Sequence, residues 1–148
     1  MNIVVLFVFA FVSVVYGVDQ ALINQQMEQL VEYGLECAES EKASPEDIAE
    51  LQKHKAPVTH EGRCVIFCVY KKLAIMKEDG SIVEEPTNPM LEALKSKEPE
   101  LYSDLEGVYK TCVGKVQSNG DACDTAFELV SCVKHEGEKL GLDKIFAA

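Results

Sequence analysis

Six cysteines, Cys37, Cys64, Cys68, Cys112, Cys123 and Cys132, carry the most evident chemistry in this sequence, because they can bond to one another. An even number behind an apolar leader reads as three disulfides made in an oxidising compartment. Zinc is the rival use of thiolates, but zinc sites favour two closely spaced pairs. Only Cys64 and Cys68 are close here. Within RCVIFCVYKKLAIM, from Arg63 to Met76, these two stand at i and i+4 on one helical face. Side chains so placed point outward together and are poor partners for each other. A continuous helix from Cys123 to Cys132 would likewise hold that pair beyond bonding reach. The remaining pairings stay open on physical grounds. The stretch is expected to be a buried central helix tied to two separate parts of the chain.

No other residues assemble a reactive centre. The sequence has no G-x-S-x-G and no H-E-x-x-H, and three bridges leave no cysteine as nucleophile. Asp121 and Asp124 read as acids at a helix start, with too few oxygens beside them for calcium. The chain is therefore expected not to be an enzyme and to need no metal or cofactor. His54, His60 and His135 read as solvated surface groups. A net charge of −11 argues against nucleic acid and anionic membranes as partners, since both need clustered Lys and Arg.

The elements that must place the cysteines follow from pattern. Residues 1–17 read as a cleaved signal peptide: an apolar run from Ile3 to Tyr16, too short to span a bilayer, ends at small residues before Val18. Residues 18–148 then form a single secreted domain without membrane insertion. Leu22, Ile23, Met27, Leu30, Val31 and Leu35 recur at helical steps from Asp19 to about Cys37. Ser44-Pro45-Glu46-Asp47 opens a short second helix. The central helix follows Thr59 or His60 and is expected to reach about Lys77, before Asp79-Gly80. A loop spans Ser81 to Asn88. Further helices are expected over Met90–Lys97, from Pro99 through Val116, and from Asp121 to about His135. An apolar tail, 137–148, follows with Leu140, Leu142, Ile145 and Phe146. The fold class is all-α, with six helices.

The cysteine spacing, with three residues between Cys64 and Cys68 and eight between Cys123 and Cys132, resembles that of the insect odorant-binding proteins, the pheromone-binding and general odorant-binding family. Arg63-Cys64, Lys71-Lys72-Leu73, Asp79-Gly80 and Asp121-x-Cys123-Asp124-x-Ala126-Phe127 are similar too. The resemblance implies interlocked bridges Cys37–Cys68, Cys64–Cys123 and Cys112–Cys132, and six helices around an apolar cavity. It implies a soluble carrier that binds small hydrophobic odorants, pheromones or fatty-acid-like molecules and takes them through aqueous sensillar lymph to a membrane odorant receptor. The protein would act as a monomer or weak dimer. A non-olfactory carrier or interaction protein on the same scaffold, in haemolymph, a gland secretion or seminal fluid, is the alternative.

Carried over by position, the lining residues would be Leu30, Ile66, Tyr70, Ile75, Met76, Tyr109, Val113, Val130 and Val133. Tyr70 is the candidate polar group, and stands where moth pheromone binders have serine. Phe127, beside Cys123, is assigned to the core. The tail is expected to act as a lid, with Phe146 at the mouth of the cavity.

Overall fold

Three disulfides lace the chain of the computed structural model, which describes residues 18–146. They join Cys37 to Cys68, Cys64 to Cys123 and Cys112 to Cys132, with Cα–Cα distances of 5.7, 4.5 and 5.7 Å. These are the pairs implied by the resemblance. The expected signal peptide, residues 1–17, lies outside the described residues.

Seven helices are present among the described residues. They are α1 (Gln20–Ser40), α2 (Pro45–Gln52), α3 (His60–Lys72), α4 (Pro89–Lys97), α5 (Pro99–Lys115), α6 (Ala122–Lys139) and α7 (Asp143–Phe146). There is no strand among these residues, only an isolated antiparallel bridge between Met76 and Ile82.

Most helices start where the sequence marks a cap. The side chains of Asp19, Thr59, Asn88 and Asp121 accept from backbone amides in the first turns of α1, α3, α4 and α6. Ser44 and Asp47 close a reciprocal capping box at α2. Pro89 and Pro99 sit in the first turns of α4 and α5, where a missing N–H costs nothing.

The stops depart more from expectation. The central helix, α3, ends at Lys72 rather than about Lys77. Ala74 takes a left-handed φ of 55°, and the amides of Ile75 and Met76 both turn back to the Tyr70 carbonyl. Lys42 and His54 do the same after α1 and α2, with φ of 56° and 57°. Helices that stop on Lys, His or Ala instead of Gly give no glycine signal to read. At the other end, α6 runs through Gly137 to Lys139, so the expected tail begins inside a helix. Gly137 is buried in this helix beside Leu142. The break comes at Gly141, at φ 72°, and α7 makes the helices seven rather than six.

α3 makes its most extensive contact with α6 and also packs on α1; α6 packs on α5, α5 on α4, and α7 returns onto α6. Many buried apolar side chains gather in two clusters, while Leu73, Met76, Ala126 and Leu129 are buried outside both. The first holds Leu22, Ile23, Leu94, Leu101, Val108 and Leu142. The second holds Cys37, Ala38 and Val65, flanked by Ile48, Leu51 and Val69. Each bridge closes a loop of 20 to 59 residues. Restricting the unfolded chain in this way contributes roughly 3–4 kcal/mol per bridge on the chain-entropy account.

Candidate ligand-binding site

Several faces of α3 are occupied. Cys64 and Cys68 carry the bridges to α6 and α1. Arg63 donates to Asp124 at 2.7 Å and lies over the Phe127 ring at 5.4 Å. Lys71 covers Phe67, while Lys72 reaches Glu36 at 2.7 Å and the ring of Tyr33. Ile66 and Tyr70, one turn apart, remain on the helix, with Ile75 just past its end. Both α3 and α5 lean on α6, but they have no comparable contact with each other. On α5 the matching positions are Tyr109 and Val113, one turn apart. On α6 they are Val130 and Val133, and on α1 Leu30.

All eight of these residues are half-buried. Only Val133 packs against a core cluster; the other seven belong to neither. Met76 differs, being 2 % exposed and held by the bridge to Ile82. Phe127, assigned to the core, is half-buried under Arg63 instead, because α6 turns its fully buried face through Thr125, Ala126 and Leu129. Phe146 ends α7, but its side chain lies outside the described residues. Its neighbours in the tail, Leu142 and Ile145, dock on the first cluster.

The two tyrosines are near enough to feel each other. Burial pushes the Tyr70 phenol well above the usual tyrosine range, and the Tyr109 phenol adds to the shift. Burial also pushes Tyr109 up to about 12. Their hydrogen bonding differs. The Tyr109 hydroxyl donates to the Val83 carbonyl. The Tyr70 hydroxyl has no hydrogen-bond partner among the described residues, although it is deeply enclosed and the residue keeps accessible surface. Val83 is in place because its own amide donates to Ile75 at 2.8 Å, closing the loop that the Met76–Ile82 bridge begins. That loop was not among the candidate lining. Its only sequence signal is the Asp79-Gly80 turn, which does not say what the loop touches.

A second polar centre sits at the start of α3. Asp47, fully buried, accepts from the amide and hydroxyl of Ser44, the Val58 amide, and the amide and hydroxyl of Thr59. Burial alone would raise its pKa, but the Thr59 and Ser44 donors outweigh that and hold it well below the usual carboxylate range. Gly62 fits closely here, since a Cβ on it would lie 2.6 Å from the Asp47 carboxylate and 2.5 Å from Pro57. The sequence marks the capping box but not the link to Thr59. Possible metal ligands also converge beside α3. His60 lies near Cys64 and Cys123, but both sulfurs are bonded to each other and offer no thiolate. His60 also lies near Asp121 and Asp124, which are already engaged by His60 itself and by Arg63.

Three interlocked disulfides, two buried clusters and a row of half-buried apolar residues define a small cross-linked helical scaffold. The chain belongs to the PBP/GOBP family, which it matches over residues 19–136. It is 28% identical over 116 residues to general odorant-binding protein 19d of Drosophila melanogaster, covering 78% of this chain and 77% of that one. It is 23% identical over 119 residues to general odorant-binding protein 28a of the same fly, with 80% and 82% covered. Two solved structures share the fold. The Drosophila odorant-binding protein dmelOBP28a aligns with a TM-score of 0.67 at 22% identity over 81% of this chain and 98% of that one. The fatty acid binding protein OBP56a from the oral disk of the blowfly Phormia regina aligns at 0.57 and 24% identity, over 78% and 94%.

Proposed function

We propose that this protein is a secreted, non-catalytic carrier that holds one small hydrophobic molecule between α1, α3, α5 and α6. One observation supports this more than any other. The hydroxyl of half-buried Tyr70, whose phenol burial pushes above the usual tyrosine range, has no hydrogen bond among the described residues, as expected of a group that faces a space between helices. Leu30, Ile66, Ile75, Val113 and Val130 give that space apolar walls, as small-molecule pockets require. Met76 contributes little surface and serves mainly to seal one end. The relatives are named as odorant-binding proteins, which supports transport of odorants or pheromones through aqueous lymph to membrane receptors. The blowfly neighbour, named a fatty acid binding protein, favours as second reading a carrier of lipid-like molecules outside olfaction. The three disulfides suit an extracellular fluid. The docked tail is the proposed lid, and Ile145→Ala should weaken binding of an apolar probe.

Native mass spectrometry of the oxidised protein against a panel of odorants and fatty acids tests the carrier reading. The expected result is one ligand per chain. If every apolar ligand fails to bind, the reading is wrong. Expression in antennae and palps separates the olfactory role from the second reading.

A further inference from the structure

We infer that the Cys64–Cys123 bridge is a thiol-exchange site, the first of the three disulfides that a small aliphatic thiol opens, and that His60 receives the sulfur that departs. The inference does not depend on the carrier reading above.

The surroundings of the three bridges differ. Each joins a buried cysteine, Cys37, Cys64 or Cys112, to a half-buried one, Cys68, Cys123 or Cys132. An attacking thiolate reaches the half-buried sulfur, so the buried sulfur has to leave. Among the described residues, the side chains with a polar contact to a bridge sulfur are Ser40, at Cys68, and His60, at Cys64. Cys37 and Cys112 have none and are 0 % exposed, so a thiolate on either is strongly disfavoured. Cys64 is different. The His60 Nδ1, one turn back on α3, stands 3.7 Å from its Sγ. The other ring nitrogen, Nε2, donates to the Asp121 carboxylate at 2.9 Å. Carboxylate, imidazole and sulfur thus follow one another as in a Cys-His-Asp relay, where the acid orients the ring toward the sulfur. Asp121 also holds the imidazole above its usual pKa, which favours the ring with a proton on both nitrogens. In the exchange, the incoming thiolate bonds to the Cys123 Sγ and the Cys64–Cys123 bond breaks. Its electron pair leaves on the Cys64 Sγ, which takes the Nδ1 proton. A second thiol then displaces the Cys123 thiolate, and the small thiols end as their own disulfide. This bridge closes the longest loop, 59 residues, so on the chain-entropy account its loss costs the most. Opening first would therefore reflect access and leaving group, not weakness. It would also uncouple α3 from α6, the pair with the most extensive contact.

The test treats the oxidised protein with dithiothreitol at neutral pH, traps the earliest thiols with N-ethylmaleimide and maps the labelled cysteines by mass spectrometry. Label is expected first on Cys64 and Cys123. His60→Gln should slow this bridge by at least about tenfold, since a positioned proton donor commonly contributes more than that. The other two bridges should open at their native rates. A loosened fold speeds opening, so a merely structural role for His60 does not produce the slowing. The rate relative to Cys37–Cys68 cancels the ionisation of the attacking thiol. That ratio should decline as pH rises through the folded pKa of His60. The charged groups facing His60 are Glu61 beside it on α3 and Asp121 and Asp124 from the start of α6, the last paired with Arg63. Another bridge opening first, or all three together, overturns the inference. So does a His60→Gln protein whose bridge opens at the native rate or faster. Should His60→Gln fail to fold, the native protein decides alone, and a ratio that stays flat with pH overturns the inference.

Discussion

Removing the Asp47 carboxylate should loosen the start of α3, and the structure gives the size of the effect. Asp47 gathers five donors, at 2.6 to 3.1 Å, from Ser44, Val58 and Thr59. In Asp47→Ala the two hydroxyls can turn to other partners, and exposed Val58 lets water reach its amide. The Ser44 and Thr59 amides remain without an acceptor, at about 1–2 kcal/mol each, so a loss of roughly 2–4 kcal/mol is expected. Asp47→Asn keeps one carbonyl oxygen for Val58 and Thr59 and presents an amide to Ser44, so it should cost about 1–2 kcal/mol. The sign of the pH dependence follows from the depressed pKa. Asp47 stabilises the fold fully above its unfolded value of 3.8, and that contribution disappears as pH falls through the lower folded value. The gap between wild type and Asp47→Asn should therefore narrow in acid. Urea denaturation followed by far-UV circular dichroism, with the disulfides intact, measures both effects. An alanine variant within about 0.5 kcal/mol of wild type at neutral pH, the range of an ordinary surface substitution, would refute the reasoning. A gap that stays constant into strong acid would do the same.

Three further outcomes are expected. Ala74→Gly should stabilise the protein by about 0.5–1 kcal/mol, because glycine adopts the left-handed backbone after α3 without a Cβ penalty; an unchanged or lowered midpoint counts against that strain. Alanine at both Cys64 and Cys123, which close 59 residues, should cost about 4 kcal/mol, and at both Cys112 and Cys132, which close 20, about 3 kcal/mol. The reverse order in guanidinium denaturation would argue against the entropic account. Finally, the hydrogen bond that His60 donates to the Asp121 carboxylate holds His60 above its usual 6.5, so this pair favours the fold below that pH and ceases to as pH rises through the folded value. Asp121→Asn still caps α6 and should lower the His60 pKa in an NMR titration; an unmoved titration would break the link.

The starts of the helices were legible because the cap is local: Ser44 with Asp47, Pro99, and Asp121 before the last long helix each announce themselves within four residues. Their ends were less so. Nothing about Ala74 signals a stop, since the left-handed turn there is imposed by the loop that Met76 and Ile82 close. Cysteine pairing came from resemblance, because geometry on single helices excludes pairs but cannot choose among the rest. The candidate lining came by position from the resemblance, and of it the sequence itself makes legible only that Ile66 and Tyr70, and Tyr109 and Val113, stand one turn apart. The different tasks of the two tyrosines were not legible, because they depend on Val83, which the chain brings to Tyr109 from 26 residues away.

The division of the buried residues into two clusters has a consequence for how this chain can change over generations. Replacing a side chain in a close-packed cluster displaces its neighbours, and both larger and smaller substitutes are penalised. Val113 and Val130 lie outside both clusters, half-buried, on helices already fixed by Cys112–Cys132. Exchanging them for isoleucine, leucine or alanine alters the interior without asking the frame to move. Cross-links and buried clusters thus constrain substitution most, and half-buried positions outside them constrain it least.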